Sequence, residues 1–191
     1  ESGLGDVASP IPPAPDTIGW ETTLRCNMSC RHCGSTAGDA RVDELDTDRA
    51  LALCKEIVRL DPERVCLTGG ETFTRKDWPH ITDALLASGI EVGILTNGWS
   101  LTSPVLDKIA AYEGARLYIS ISIDGQRADH DRIRGVPGCY DRALSAGLHL
   151  KKSGIPVAII TTVSNGNLQG LPSLREELLT NLHPYAWQIQ T

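Results

Sequence analysis

Six short aliphatic and β-branched runs alternate, along most of the chain, with segments carrying apolar residues at helical spacing. That alternation leaves few architectures open. The first strand is expected at about 18–24. A helix then opens near Thr47, read as its N-cap, and carries Leu51, Cys54, Ile57 and Val58 on one face. A second strand at 64–68 precedes a helix over 77–88 that buries Trp78, Ile81 and Leu85. The third strand, 90–95, runs into Thr96-Asn97-Gly98, and Ser103-Pro104 supplies a cap and a first-turn proline for the next helix. Strands at 116–123, 156–163 and 185–190 alternate with helices at 140–153 and 171–181.

Strand–helix alternation of this kind implies a parallel sheet with right-handed crossovers. A complete eight-unit barrel typically takes about 250 residues, more than the 191 present. A six-unit open (β/α)6 TIM-like barrel and an open doubly wound sheet both remain. The fourth strand favours the barrel. Leu117, Ile119, Ile121 and Ile123 point one way, and Tyr118, Ser120, Ser122 and Asp124 the other. A parallel strand covered by helices on both faces is apolar throughout, so one polar face indicates an interior with room for ligand. The last strand repeats the pattern, with Ala186, Gln188 and Gln190 opposite Trp187 and Ile189.

The formal net charge is −6 and no basic run stands out, which argues against a nucleic-acid surface. No apolar stretch reaches the roughly 18–20 residues that span a bilayer, so no membrane partner is expected and a cytoplasmic location is the default. Residues 1–16, with Pro10, Pro12, Pro13 and Pro15, read as an extended arm ahead of one domain over 17–191. The absence of an initial Met and an end on the strand at 185–190 are read as marks of a fragment of a longer protein. Of the scattered cysteines, Cys54 and Cys66 read as small buried hydrophobes. Cys139 follows a turn and is given no role.

The other three cysteines carry the chemistry. Cys26, Cys30 and Cys33 are separated by three and then two intervening residues, directly after the first strand. Thiolates this close on one loop can face one metal centre, and soft sulfur favours iron–sulfur clusters or zinc. A structural zinc site closes with four protein ligands and an ordinary ferredoxin cluster with four cysteines. Three leave a coordination position free for a small molecule. Zinc with His32 as fourth ligand is the alternative, made awkward by its adjacency to Cys33. Ligands in parallel α/β folds gather beyond the carboxyl ends of the strands. Gly69-Gly70-Glu71, Asn97-Gly98, Ser122 through Gly125 and Thr161 through Asn167 all fall at that rim.

The spacing Cys26-x3-Cys30-x2-Cys33 and the turn Gly69-Gly70-Glu71 together resemble the radical S-adenosylmethionine (SAM) superfamily over about 18–190. The segments at 75–79, 96–99, 122–125 and 130–135 are similar to the branch that carries a cysteine-rich C-terminal SPASM domain, which is not within this chain. The resemblance implies a [4Fe–4S] cluster on Cys26, Cys30 and Cys33, with SAM on the fourth iron. It further implies reductive cleavage to a 5′-deoxyadenosyl radical, a peptide, protein or small-molecule substrate, and a reductant such as flavodoxin or ferredoxin. Haem-type cofactor synthesis and a non-catalytic cluster-binding module are the competing functions.

The implied SAM-binding residues each have a bland alternative. His32 matches a planar residue near the adenine, and the segment at Gly69, Gly70 and Glu71 accepts from the methionine ammonium, against a turn with a solvated Glu71. Ser122 matches a ribose or methionine contact, against a hydroxyl in a polar interior. Arg134 resembles the partner of the SAM carboxylate; Arg132 competes for that role, and either could be a surface charge. Asn97 contacts ligand or holds a left-handed turn before Gly98. Asp124 bonds within its turn or faces substrate. Thr72 stands where many relatives have proline.

Overall fold

The computed structural model describes residues 14–191, so most of the expected arm at 1–16 lies outside the described residues. The chain forms β1 (Thr17–Thr23), α1 (Thr47–Arg59), β2 (Arg64–Gly69), α2 (Trp78–Leu86), β3 (Glu91–Thr96) and α3 (Ser103–Ala110). It continues through β4 (Leu117–Ser122), α4 (Arg127–Arg134), α5 (Cys139–Lys152), β5 (Val157–Thr162), α6 (Leu171–Asn181) and β6 (Ala186–Gln190). All six strands are parallel and lie in chain order, β1-β2-β3-β4-β5-β6. A doubly wound sheet reverses its strand order at a switch point. This sheet never reverses, so its helices cover one face in sequence, as in a barrel wall, and it is not closed.

The helix-facing positions are the expected ones. Val65, Leu67, Val92, Ile94, Ile119, Ile121 and Ile159 bury against Cys54, Ile81, Leu85, Ile109, Leu150 and Leu174. The other face is small and polar. In register, Cys66, Gly93 and Tyr118 form one row, and Leu95, Ser120, Ala158 and Ala186 the next. Tyr118 lies so close over Gly93 that a Cβ there would stand 2.4 Å from its phenol. Cys66 therefore departs from expectation: it is half-exposed on this inner face with Sγ 3.4 Å from the Tyr118 hydroxyl, whereas Cys54 is buried in the core.

Helix α1 is capped by Asp46, whose carboxylate accepts from Arg49 N–H at 2.9 Å, and not by Thr47. The Thr47 hydroxyl instead donates to Asp77 Oδ2. Helix α4 was not expected. Its buried residues are His130 and Ile133, and it stops at Gly135 in the left-handed conformation, φ 71°. It delivers Arg134 to the rim.

Candidate functional site

Two loops at the carboxyl end of the sheet are joined backbone to backbone. Gly70 N–H donates to Thr23 O at 2.7 Å and Glu71 N–H to Arg25 O at 2.8 Å. A Cβ on Gly69 would fall 2.1 Å from Thr23 O, and one on Gly70 would fall 2.3 Å from Arg25 O. Gly69 also holds φ 129°, a conformation open to glycine. These glycines let the turn after β2 lie flat against the start of the cysteine loop. Glu44 fixes that start from the other side: its carboxylate accepts from Leu24 N–H at 2.7 Å and from the Thr23 hydroxyl.

Beyond that junction, Cys26, Cys30 and Cys33 line one cavity of ≈ 280 Å³ with His32, Gly69, Gly70, Asn97, Ser122 and Arg134. All three thiols are free and partly buried. Burial raises the pKa of Cys26 and Cys30, with the Arg134 guanidinium pulling Cys30 back down. Each sulfur has an N–H from another residue within reach. Asn97 Nδ2 lies 3.8 Å from Cys26 Sγ, Arg134 Nη1 lies 3.8 Å from Cys30 Sγ, and Ala37 N lies 3.3 Å from Cys33 Sγ. Among the described residues, no group of three or more His, Cys, Asp or Glu side chains converges closely enough to hold a single metal ion. A polynuclear cluster spreads its thiolates over separate metal atoms, so this arrangement suits a cluster better than zinc. His32 also turns elsewhere, with Nε2 3.4 Å from Asp124 Oδ2.

The carboxylates sit behind the cavity rather than in it. Glu71 is fully buried and not solvated. It accepts from the Thr96 hydroxyl and Asn97 N–H, both at 2.9 Å, and from Phe73 N–H at 3.3 Å, so it fastens the end of β3 to the glycine turn. Burial pushes its carboxyl up to about 7 against those donors. Asp124 is also fully buried. It accepts from Arg134 Nε at 2.7 Å and from Thr162 N–H at 3.0 Å. Burial acts to lower the Arg134 pKa, but Asp124 and Cys30 outweigh it and the guanidinium stays charged. Burial lowers the His32 pKa, and its Nδ1 is a buried polar atom without a partner.

Arg134 and Arg132 are now distinguished. Arg134 reaches the cavity with its side chain only 11% exposed, whereas Arg132 is half-exposed and bonds Asp129 and Gly166 O on the outside. The left-handed residue at the end of β3 is Gly98, φ 82°, and not Asn97. The Asn97 amide bridges to Asn27 Oδ1 at 2.8 Å and accepts from Trp99 N–H. Ser122 lines the cavity beside Thr162, Gln188 and Gln190. From the sequence, Thr162 was placed only within the rim segment 161–167 and the two glutamines only on the polar face of the last strand; none was named as a ligand contact.

The donor set fits the expected group. Three thiols, a charged guanidinium and an orphaned imidazole nitrogen meet a wall of hydroxyls and carboxamides in one cavity. Known proteins agree. The model of the radical SAM superfamily matches residues 20–175. The AdoMet-dependent heme synthase of Methanosarcina barkeri (strain Fusaro / DSM 804) is 39% identical over 158 residues, 82% of this chain and 45% of that protein. The mycofactocin maturase MftC of Mycolicibacterium smegmatis is 34% identical over 151 residues, 78% of this chain and 38% of that one. The chain thus spans less than half the length of these curated relatives. Streptococcus suis SuiB bound to S-adenosylmethionine superposes with a TM-score of 0.80 at 14% identity, over 92% of this chain and 40% of that chain.

Proposed function

The chain belongs to the radical SAM superfamily, and on that premise we propose that it binds a [4Fe–4S] cluster and SAM and modifies a peptide or protein. When bound, the family's cofactors would supply the hard chemistry, reductive cleavage of the SAM sulfonium and removal of a hydrogen atom from substrate. Everything else falls to the residues described. Cys26, Cys30 and Cys33 hold the cluster. Arg134, oriented by Asp124, presents N–H groups for the carboxylate end of SAM. Gly69 and Gly70 keep backbone close to the cavity, where no side chain intervenes. His32, neutral and with an unpaired ring nitrogen, lies at the edge for a planar base, and Ser122 offers a hydroxyl to the ribose portion.

The observation that carries this reading is the meeting of three thiols, with no fourth cysteine among the cavity-lining residues, and a charged arginine in one cavity. A domain following the matched region, as the greater length of the relatives allows, and a flavodoxin- or ferredoxin-type reductant are part of the proposal. The 34% identity to a mycofactocin maturase supports a peptide. A specific observation also favours a second reading: identity to the heme synthase is 39%, which supports a tetrapyrrole substrate.

The test is anaerobic reconstitution with iron and sulfide, followed by strong reductant and SAM. The expected result is about four irons and four sulfides per chain and release of 5′-deoxyadenosine. Turnover stimulated by peptide and not by tetrapyrrole supports the first reading; the reverse supports the second. A cluster that leaves SAM intact under strong reductant overturns both and leaves a cluster-binding module.

A further inference from the structure

Each of the three thiols that define the site receives its own N–H, and the three donors differ in kind. Cys33 takes a backbone amide from its own loop, Ala37 N–H at 3.3 Å. Cys26 takes a side-chain amide from the end of β3, Asn97 Nδ2 at 3.8 Å. Cys30 takes a guanidinium from the last turn of α4, Arg134 Nη1 at 3.8 Å. Two of the three donors therefore reach across from other elements, more than 70 residues away along the chain. Neither is free to swing. The Asn97 amide is held by Asn27 Oδ1 and Trp99 N–H, and its backbone by Glu71. Arg134 is held by Asp124, itself fixed by Thr162 N–H.

We infer that Asn97 and Arg134 set the reduction potential of the cluster, each acting through the one thiolate it faces. This rests on the cluster reading above and goes beyond SAM binding. Adding one electron to a cluster makes it more negative, with no bond made or broken in the protein. The donor is any one-electron reductant. An N–H aimed at a ligand sulfur stabilises that added charge and raises the potential. Asp124 balances the charge of Arg134, so what the guanidinium gives Cys30 is chiefly its hydrogen bond. Because the donors act on different sulfurs, their contributions are separable. Asp124 is then a positioning residue, which aims Arg134 at Cys30 and not into solvent.

The experiment is an EPR-monitored redox titration of the reconstituted chain without SAM, repeated with SAM. Asn97→Ala removes the side-chain donor to Cys26. Arg134→Met is made together with Asp124→Asn, so that no buried carboxylate is left without its counter-charge. Arg132→Met, on the outer side of the same helix, is the control. Each site variant should need an ambient potential more negative by about 59 mV for the same reduced fraction, a tenfold change in the one-electron ratio. The combined variant should sum the two shifts, Arg132→Met should show none, and all of this should hold before SAM is added. Full iron and sulfide content with an unmoved midpoint overturns the inference while the cluster reading stands. A shift that appears only with SAM also overturns it, since the two residues then act on the cosubstrate alone. Failure of the unsubstituted chain to take up a cluster removes the reading and the inference together.

Discussion

The fully buried Asp124 carboxylate takes the Nε–H of Arg134 at 2.7 Å and Thr162 N–H at 3.0 Å, so one side chain ties the cavity's arginine to the end of β5. A charge pair this enclosed is costly to break from one side, because the survivor is left without compensation. Asp124→Ala should therefore destabilise the chain by about 3–5 kcal/mol, read by chemical denaturation. The Asp124→Asn, Arg134→Met pair should recover much of that loss. Equal losses in the single and paired variants would show that the Arg134 charge is not what Asp124 compensates.

Gly70→Ala tests the junction of the two loops. Its Cβ would meet Arg25 O at 2.3 Å and Leu24 O at 2.6 Å, both backbone atoms that move only with the cysteine loop. The expected cost is about 1–3 kcal/mol of stability, together with reduced iron uptake on reconstitution. Gly89→Ala is the comparison: φ there is also positive, at 79°, but a Cβ meets nothing within 4 Å. Gly89→Ala should lose stability and keep its iron. Unchanged iron uptake in Gly70→Ala would separate the turn from the site.

Single replacement of Cys26, Cys30 or Cys33 by Ala should leave the fold intact, since all three sit on a loop outside the apolar core. Each should abolish the cluster's visible absorbance and, with it, SAM cleavage. Cys66→Ala, on the inner face, should retain both. Anaerobic absorbance and 5′-deoxyadenosine release after reconstitution check this.

Two buried groups give the metal-free chain opposing pH dependences. Burial, with Arg134 adding, pushes the fully buried His130 down to about 4 from its ordinary 6.5. Between those values the unfolded chain holds the extra proton, so stability falls as pH drops through the window, by about 3 kcal/mol in all. Glu71 runs the other way, raised by burial from 4.5 to about 7. There the folded chain holds the extra proton, and stability falls as pH rises from about 4.5 to about 7. The two offset where they overlap. His130→Gln should remove the larger of the two opposing histidine contributions, His32 keeping its own, so that stability declines more steeply from about pH 4.5 to about 7 than in the parent. Parallel curves in denaturant titrations would contradict this assignment.

The strands and most helices were legible because their burial follows simple periods. Alternation in β4 read out both the core face and the hollow one. Helix α4 was not legible, because Arg127 through Arg134 includes only Ala128 and Ile133 as apolar residues and buries a histidine in place of a hydrophobe. The signal available was Gly135, a residue type that commonly ends helices. The clustering of the three cysteines could be read from spacing. Arg134 was offered only by the family resemblance, with Arg132 as its rival, and packing separates the two. The roles of Glu71 and Asp124 could not be read from spacing. A carboxylate after a strand looks the same in sequence whether it meets solvent or a set of buried donors, and only the packing of distant elements decides.

The contact between Thr23–Arg25 and Gly69–Gly70 also bears on engineering. A cysteine loop grafted onto another sheet without its flat neighbouring turn would meet Cβ atoms where it needs open space. The two motifs are transplantable only as a pair, with the pitch of β1 against β2 kept as it is.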